Sequence, residues 1–202
     1  MDIQSLLEKS SSNHSHLCPR QILGVRMGML AADLLDLDLP QIHKRLLVIV
    51  ESDGCFADGV ATATGATVGH RTMHVEDYGK VAAVFVDTQT GKAVRIAPAL
   101  DVRERAKNYA PPGETRRYFA QLHGYQIMPF FEMFFIQEVV LRAPIKEIVS
   151  RPGVRVNCEM CGEEIINERE VEHEGILLCR ACAGGAYYRP AAISVHLAQV
   201  TA

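Results

Sequence analysis

Four cysteines late in the chain carry the clearest chemistry. Cys158 and Cys161 are separated by two residues, as are Cys179 and Cys182, with seventeen residues between the pairs. Zinc takes four soft donors in a tetrahedron, and each C-x-x-C turn offers two sulfurs from one tight loop, so two such turns close a site. Gly162 suits the sharp backbone after the second sulfur, and the intervening "IINEREVEHEGILL" predicts two short strands around "HEG". Four thiolates saturate the tetrahedron, which leaves His173 out. The expected occupant is structural zinc, with no open position for turnover. A segment this short also lacks the apolar core to fold without a metal.

The remaining two cysteines pose a harder question. Cys18 sits in "HSHLCPR" and Cys55 in "ESDGCFADG", and each stands where a helix is predicted to begin. A helix N-terminus presents unpaired N–H groups and the positive end of the macrodipole, both of which stabilise a thiolate and lower its pKa. Each is a candidate ligand or nucleophile; the plainer alternative is a small buried hydrophobe. His14, His16 and Cys18 alternate, so an extended segment turns all three to one face.

The elements that must hold these residues follow from pattern. "DIQSLLEKS" reads as a short helix. Pro19 can open a second helix from about 19 to 36, since its missing N–H costs nothing in the first turn. Gly24 and Gly28 lie one turn apart on it, which predicts the close approach of another backbone. "KRLLVIVES" predicts a buried strand, and "DGCFADGVATATG" a strand-to-helix turn capped by Asp53, with the helix ending near Gly65. "VAAVFVDTQTGKAVRIAPA" predicts a hairpin, "LDVRERAKNYAPPGETRRYFAQLHG" two helices split at Pro-Pro-Gly, and "FFEMFFIQEVVLR" a strand. Strands and helices mix without strict alternation, so the expected class is α+β with a mixed or antiparallel sheet.

The chain has 202 residues, enough for one full core and a small appendage. Composition changes near Ser150–Val156, giving an expected core domain over 1–150 and a zinc-finger tail over 151–202. Acidic residues outnumber basic ones in both parts, which disfavours nucleic acid, whose binding relies on cations that displace counterions. "MDIQSLLEKSSSN" lacks the basic start and apolar core of a signal peptide, and the apolar run "IMPFFEMFFI" is too short to span a bilayer. The expectation is a cytoplasmic protein without membrane association, in which cysteines serve metal or catalysis before disulfides.

"HSHLCPRQILGVRMGMLA" resembles the signature of the FmdE family, named after the FmdE component of formylmethanofuran dehydrogenase, in which His-x-His-x-Cys-Pro opens a Gly-containing helix. "ESDGCFADGVATATGATVGHRTMHVEDYGKVAAVFVD" resembles that family's second block, and the tail is similar to the treble-clef finger of some members. The resemblance implies a homodimer with intertwined elements and a cleft where the two blocks meet around a metal or reactive thiols. The residues carried over are His16, Cys18 and Cys55, with His14, Asp53, Asp58, Thr64 and Thr67 nearby. Arg20 and Ser15 stand where members commonly have glycine, and Arg20 would favour an anionic ligand or a thiolate.

On that footing His16, Cys18 and Cys55, with His14 beside them, are expected to hold zinc or another transition metal of the catalytic type. Asp58 would orient a ligand or act as base. The rival expectations are an accessory protein that delivers metal or cofactor to a molybdenum or tungsten oxidoreductase, and a redox protein cycling a Cys18–Cys55 disulfide. His70 is a candidate for approach to the cleft. His43, His74, His123 and His196 are scattered and expected to be structural or on the surface.

Overall fold

Asp2 opens the first helix, α1 (Ile3–Ser11), its carboxylate accepting from the backbone N–H groups of Gln4 and Ser5. The second, α2 (Pro19–Leu35), starts at the proline and is buried on nearly every side. Such a helix has to lie at the centre of a core. The computed structural model describes residues 2–12 and 14–189. It divides into two compact units, Met1–Ile145 and Lys146–Ala202.

In the first unit five strands form one mixed sheet in the order β2-β1-β3-β4-β5. They are β1 (Leu46–Val50), β2 (Met73–Val75), β3 (Ala83–Asp87), β4 (Ala93–Pro98) and β5 (Phe134–Glu138). β1 runs parallel to β2, and every other pairing is antiparallel. Leu46, Val48 and Val50 of β1 join Phe85, Val94 and Ile96 in the main core, as the two-residue period of a strand requires.

The helix α3 (Cys55–Thr64) ends at Gly65, which adopts the left-handed conformation with φ 76°. Between β4 and β5 the chain forms α4 (Val102–Arg105), a 3-10 turn over Ala106–Tyr109, α5 (Arg117–Ile127) and a single turn, α6 (Phe130–Met133). No helix among the described residues is long and apolar enough to cross a membrane.

Three local expectations differ from what is observed. Asp53 does not cap α3: Gly54 takes the cap position with φ 76° and ψ −157°, a conformation open to glycine, and leaves Asp53 exposed one residue too early. "FFEMFFIQEVVLR" is strand only over Phe134–Glu138, because Pro129 leads the preceding residues into a helical turn. β2 is a further strand, three residues long and too short to show a period.

The second unit opens with α7 (Ile145–Val149), which crosses the division between the units and starts before the Pro-Gly stretch where composition changes. Two hairpins follow: β6 (Arg155–Asn157) with β7 (Glu164–Ile166), and β8 (Val171–His173) with β9 (Ile176–Leu178). A helical turn over Ala181–Gly185 closes the described part. Among the described residues its buried apolar cluster is Cys158, Ile165 and Leu178, little to hold a fold alone.

Candidate functional site

Glycine determines where the two core cysteines lie. A Cβ on Gly24 of α2 would stand 2.2 Å from the Phe56 carbonyl oxygen, and one on Gly59 of α3 would stand 2.3 Å from the Gln21 carbonyl oxygen. The helices therefore touch backbone to backbone, as the Gly24/Gly28 spacing predicts, and a Cβ on Gly28 would meet that of Ala63 at 2.6 Å. Cys18 immediately precedes α2 and Cys55 is the first residue of α3. Close packing of the two N-terminal turns brings the thiols together. Burial pushes the Cys55 thiol up, and hydrogen bonding with Cys18 and charge on it add to the rise. This is opposite to the fall expected from the helix dipole: desolvation and a second thiol outweigh the N-terminal field.

Gln21, which no motif in the sequence marks as a site residue, fixes Cys18. It is fully buried; its Oε1 accepts the Cys18 backbone N–H at 2.8 Å, and its Nε2 donates to the Ser10 carbonyl at 3.0 Å. One side chain thus ties the end of α1 to the start of α2. The available signal is a glutamine three residues after the cap position, the spacing of a capping box.

The other candidates are distributed unevenly. His14 Nε2 meets Asp58 Oδ2 at 2.9 Å, so two of them form a partly exposed pair one turn along α3 from Cys55. His16 is exposed, with Nδ1 2.9 Å from the Ser15 hydroxyl. His16, Cys18 and Cys55 do not all lie within 4.8 Å of one another, the spacing that a three-ligand group would need. Thr64 is a buried structural residue whose hydroxyl donates to the Val60 carbonyl at 2.7 Å. The exposed Thr67 and His70 bond to each other, Thr67 Oγ1 accepting from the His70 backbone N–H at 3.2 Å. Neither lines the cleft. His196 lies outside the described residues.

Cys18 and Cys55 open into a cleft of about 1030 Å³. Leu23 of α2, Val81, Ala97, Ala99 and Tyr125 supply apolar surface, while Arg20, Lys80, Arg95, Arg103 and Arg117 supply positive charge. Glu104 is the single carboxylate among the lining residues. Lys107 holds its carboxyl below the ordinary range, with a smaller effect from Arg117 at 3.7 Å, so it stays anionic and already engaged. Arg95 is bound through both ends of its fork to Glu51, at 2.6 and 2.7 Å. Beside the thiols, burial raises the Tyr118 phenol, with Cys18 and Cys55 adding to the effect. These positions come from five separated segments, and nothing local in the sequence marks them as neighbours.

In the second unit the sulfurs of Cys158, Cys161, Cys179 and Cys182 all lie within 4.8 Å of one another, the one such metal-ligand group among the described residues. The first two come from the β6–β7 turn, where Gly162 takes φ 77°, and the last two from the end of β9 and the turn that follows. Backbone N–H groups, that of Cys161 first and that of Cys179 next at 3.3 Å, pull the Cys158 thiol down to about 6. In the same cluster hydrogen bonding with Cys179, then burial, push the Cys182 thiol up to about 12, so the fit to a closed four-sulfur metal site rests on the donor set and its spacing. His173, on β8, stands outside the group.

A curated relative from Archaeoglobus fulgidus, described as a probable S-adenosyl-L-methionine-binding protein, is 29% identical over 201 residues, covering 90% of this chain. The chain in turn spans about half, 53%, of that relative's length. The crystal structure of a tungsten formylmethanofuran dehydrogenase FmdE-like protein from Syntrophus aciditrophicus aligns with a TM-score of 0.57 at 22% identity, over 94% of this chain and 96% of the other. That likeness is one of fold. The family model described as "FmdE, Molybdenum formylmethanofuran dehydrogenase operon" matches residues 13–130, a span holding the histidine-cysteine segment, both glycine-packed helices and the cleft, and the chain belongs to the FmdE family.

Proposed function

We propose that this is a metal-binding FmdE-type protein with two centres: a structural zinc finger of the treble-clef type in the tail, and a core site at which Cys18 and Cys55 hold a second, soft transition metal. The observation that carries the core site is the approach of two thiols from two helix starts whose backbones are locked in contact. Two sulfurs alone do not complete a catalytic zinc set. His16, two residues before Cys18 on an exposed segment, is the third ligand of this reading, its ring having to leave the Ser15 hydroxyl to reach the thiols, and the His14–Asp58 pair supports that segment. A metal so held supplies Lewis acidity toward whatever the cleft binds.

The test is elemental. Purified full-length protein is expected to carry two metals per chain, Cys55→Ala one, and His16→Ala a weakened second. An unchanged metal count in Cys55→Ala overturns the core site. A second reading is favoured by the same contact between thiols: a reversible Cys18–Cys55 disulfide, formed by exchange with a disulfide oxidant that takes up the two electrons and two protons. Metal ligation predicts thiols that zinc protects from alkylation and a chelator exposes. The disulfide reading predicts loss of two titratable thiols per chain with oxidised glutathione.

Bound metal that exchanges readily, with co-purification of a large oxidoreductase, is the outcome for a delivery protein of molybdenum or tungsten enzymes. None of the six cysteines is joined in a disulfide, which suits the reducing cytoplasm where we place the protein. A sulfonium such as S-adenosyl-L-methionine is opposed by the basic lining of the cleft, and no saturable binding of it is expected. We also propose a homodimer formed through β5, the edge strand beyond β4, which leaves Phe135 and Ile136 exposed.

A further inference from the structure

The cleft is more basic than its neighbourhood accounts for. The whole chain carries a formal net charge of −3, yet five of the cleft's lining residues are cationic and one is anionic. Arg95 is neutralised by Glu51, and Glu104 is shared between Lys107 and Arg117. That leaves Arg20, Lys80 and Arg103, none of which is in an ion pair among the described residues. They arrive from the first turn of α2, from the loop before β3 and from α4. All three are exposed and line one cleft, so they give it a positive field that no carboxylate in an ion pair with them offsets, and such a field draws an anion.

The remainder of the lining decides what kind of anion. Val81, Ala97, Ala99 and Val102 make an apolar floor, and burial pushes the Tyr125 phenol up to about 12, so that ring stays neutral. The volume of about 1030 Å³ is at the upper end of small-molecule sites, about 300–1,000 Å³. It has room for more than an inorganic ion. Guanidinium forks match the oxygens of phosphate and carboxylate alike, and three uncompensated cations exceed what a single carboxylate needs.

We infer that this cleft takes a small organic polyanion, bearing phosphate or several carboxylates, with its charge on Arg20, Lys80 and Arg103 and its apolar body on the floor beside Cys18 and Cys55. This deepens the proposed function: it rests on the cleft being the ligand side of the core site, and it names the class of ligand.

Calorimetric titration of the full-length protein tests it, using inorganic pyrophosphate and citrate as probes at low ionic strength. One of the two is expected to bind saturably, one per chain, with affinity falling as salt is added; the tighter one identifies phosphate or carboxylate as the source of charge. R103E and K80E, both at exposed positions, are each expected to weaken that binding by about tenfold or more. R142E reverses the same charge at an exposed position outside the cleft and is expected to leave the affinity unchanged. Absence of saturable binding by both probes overturns the inference. So does equal binding by wild type, R103E and K80E, or a loss in R142E as large as theirs. Metals per chain are counted on the same samples, so failure of the core metal appears in the count and failure of the polyanion site in the titration.

Discussion

Gly24 and Gly59 face each other where α2 and α3 cross, with the Cα of Gly59 3.0 Å from where a Cβ of Gly24 would lie. Backbone atoms on both sides leave no flexible side chain to give way. Gly24→Ala must therefore push the helices apart, and overpacking of this kind costs about 1–3 kcal/mol, here toward the upper end. The displacement separates the N-terminal turns that carry Cys18 and Cys55. The expected result is a lower denaturation midpoint together with loss of the core metal and retention of the tail metal. Gly113→Ala, on a loop where nothing lies within 4 Å of the added Cβ but φ is +83°, serves as the comparison: it adds backbone strain without touching the thiol pair.

The tail should depend on its metal for structure. Among the described residues an apolar cluster of three cannot offset the conformational entropy of the segment, so on the proposed four-sulfur site the metal would have to hold it. Cys161→Ser, or a strong chelator, is expected to make the chain after Lys146 cleavable by protease within minutes. The first unit, with its own sheet and core, stays resistant. A tail that resists protease equally with and without metal would mean that the four sulfurs are not its support.

Local spacing discloses only some of these features. The four tail cysteines, the α2 span and the close approach at Gly24 and Gly28 are written in it, and each is found where the spacing puts it. The Cys18–Cys55 contact is not local. It is accessible through the resemblance of "HSHLCPR" and "SDGC" to two blocks of one family, and its physical cause, glycine on both helices, emerges only when Gly59 is seen against Gln21. Asp53 is no cap because glycine at 54 outcompetes a side-chain bond. The Cys55 shift runs against expectation because a helix dipole is readable from sequence whereas burial and a second thiol are not. Lys80, Arg103 and Arg117 carry no local sign of meeting Arg20, since three loops and the sheet separate them.

Acid should weaken the first unit through Asp87. The Arg45 guanidinium, with Nε and Nη2 each 3.1 Å from its carboxylate, holds Asp87 down to about 2, aided by the Gln89 backbone N–H and the Thr90 hydroxyl. An unfolded aspartate titrates near 3.9. Because the folded value is the lower one, the stabilisation is fully present above about pH 4–5 and is lost as pH falls toward 2. Arg45 is 42% exposed, which screens the pair and limits the contribution to about 1–2 kcal/mol. Asp87→Asn is expected to lower stability by that amount at neutral pH and to flatten the stability curve between about pH 4 and pH 2. An unaltered slope in the variant would assign the acid sensitivity to another carboxylate.

β5 is an open edge, and open edges of apolar strands invite pairing. Phe134 faces the core, which turns Phe135 outward at 59% exposure, and Ile127 and Phe131 nearby are exposed at 67% and 80%. A monomer seldom leaves three large apolar side chains on neighbouring segments in water, and on the proposed homodimer a second copy of the chain would cover them. Phe135→Glu puts a charge into that contact and leaves the buried face of β5 intact. Light scattering after size exclusion is expected to give a dimer for the wild type and a monomer for Phe135→Glu, with the far-ultraviolet circular dichroism spectrum preserved. A Phe135→Glu protein that remains dimeric would move the interface away from this edge, and a monomeric wild type would remove the dimer altogether.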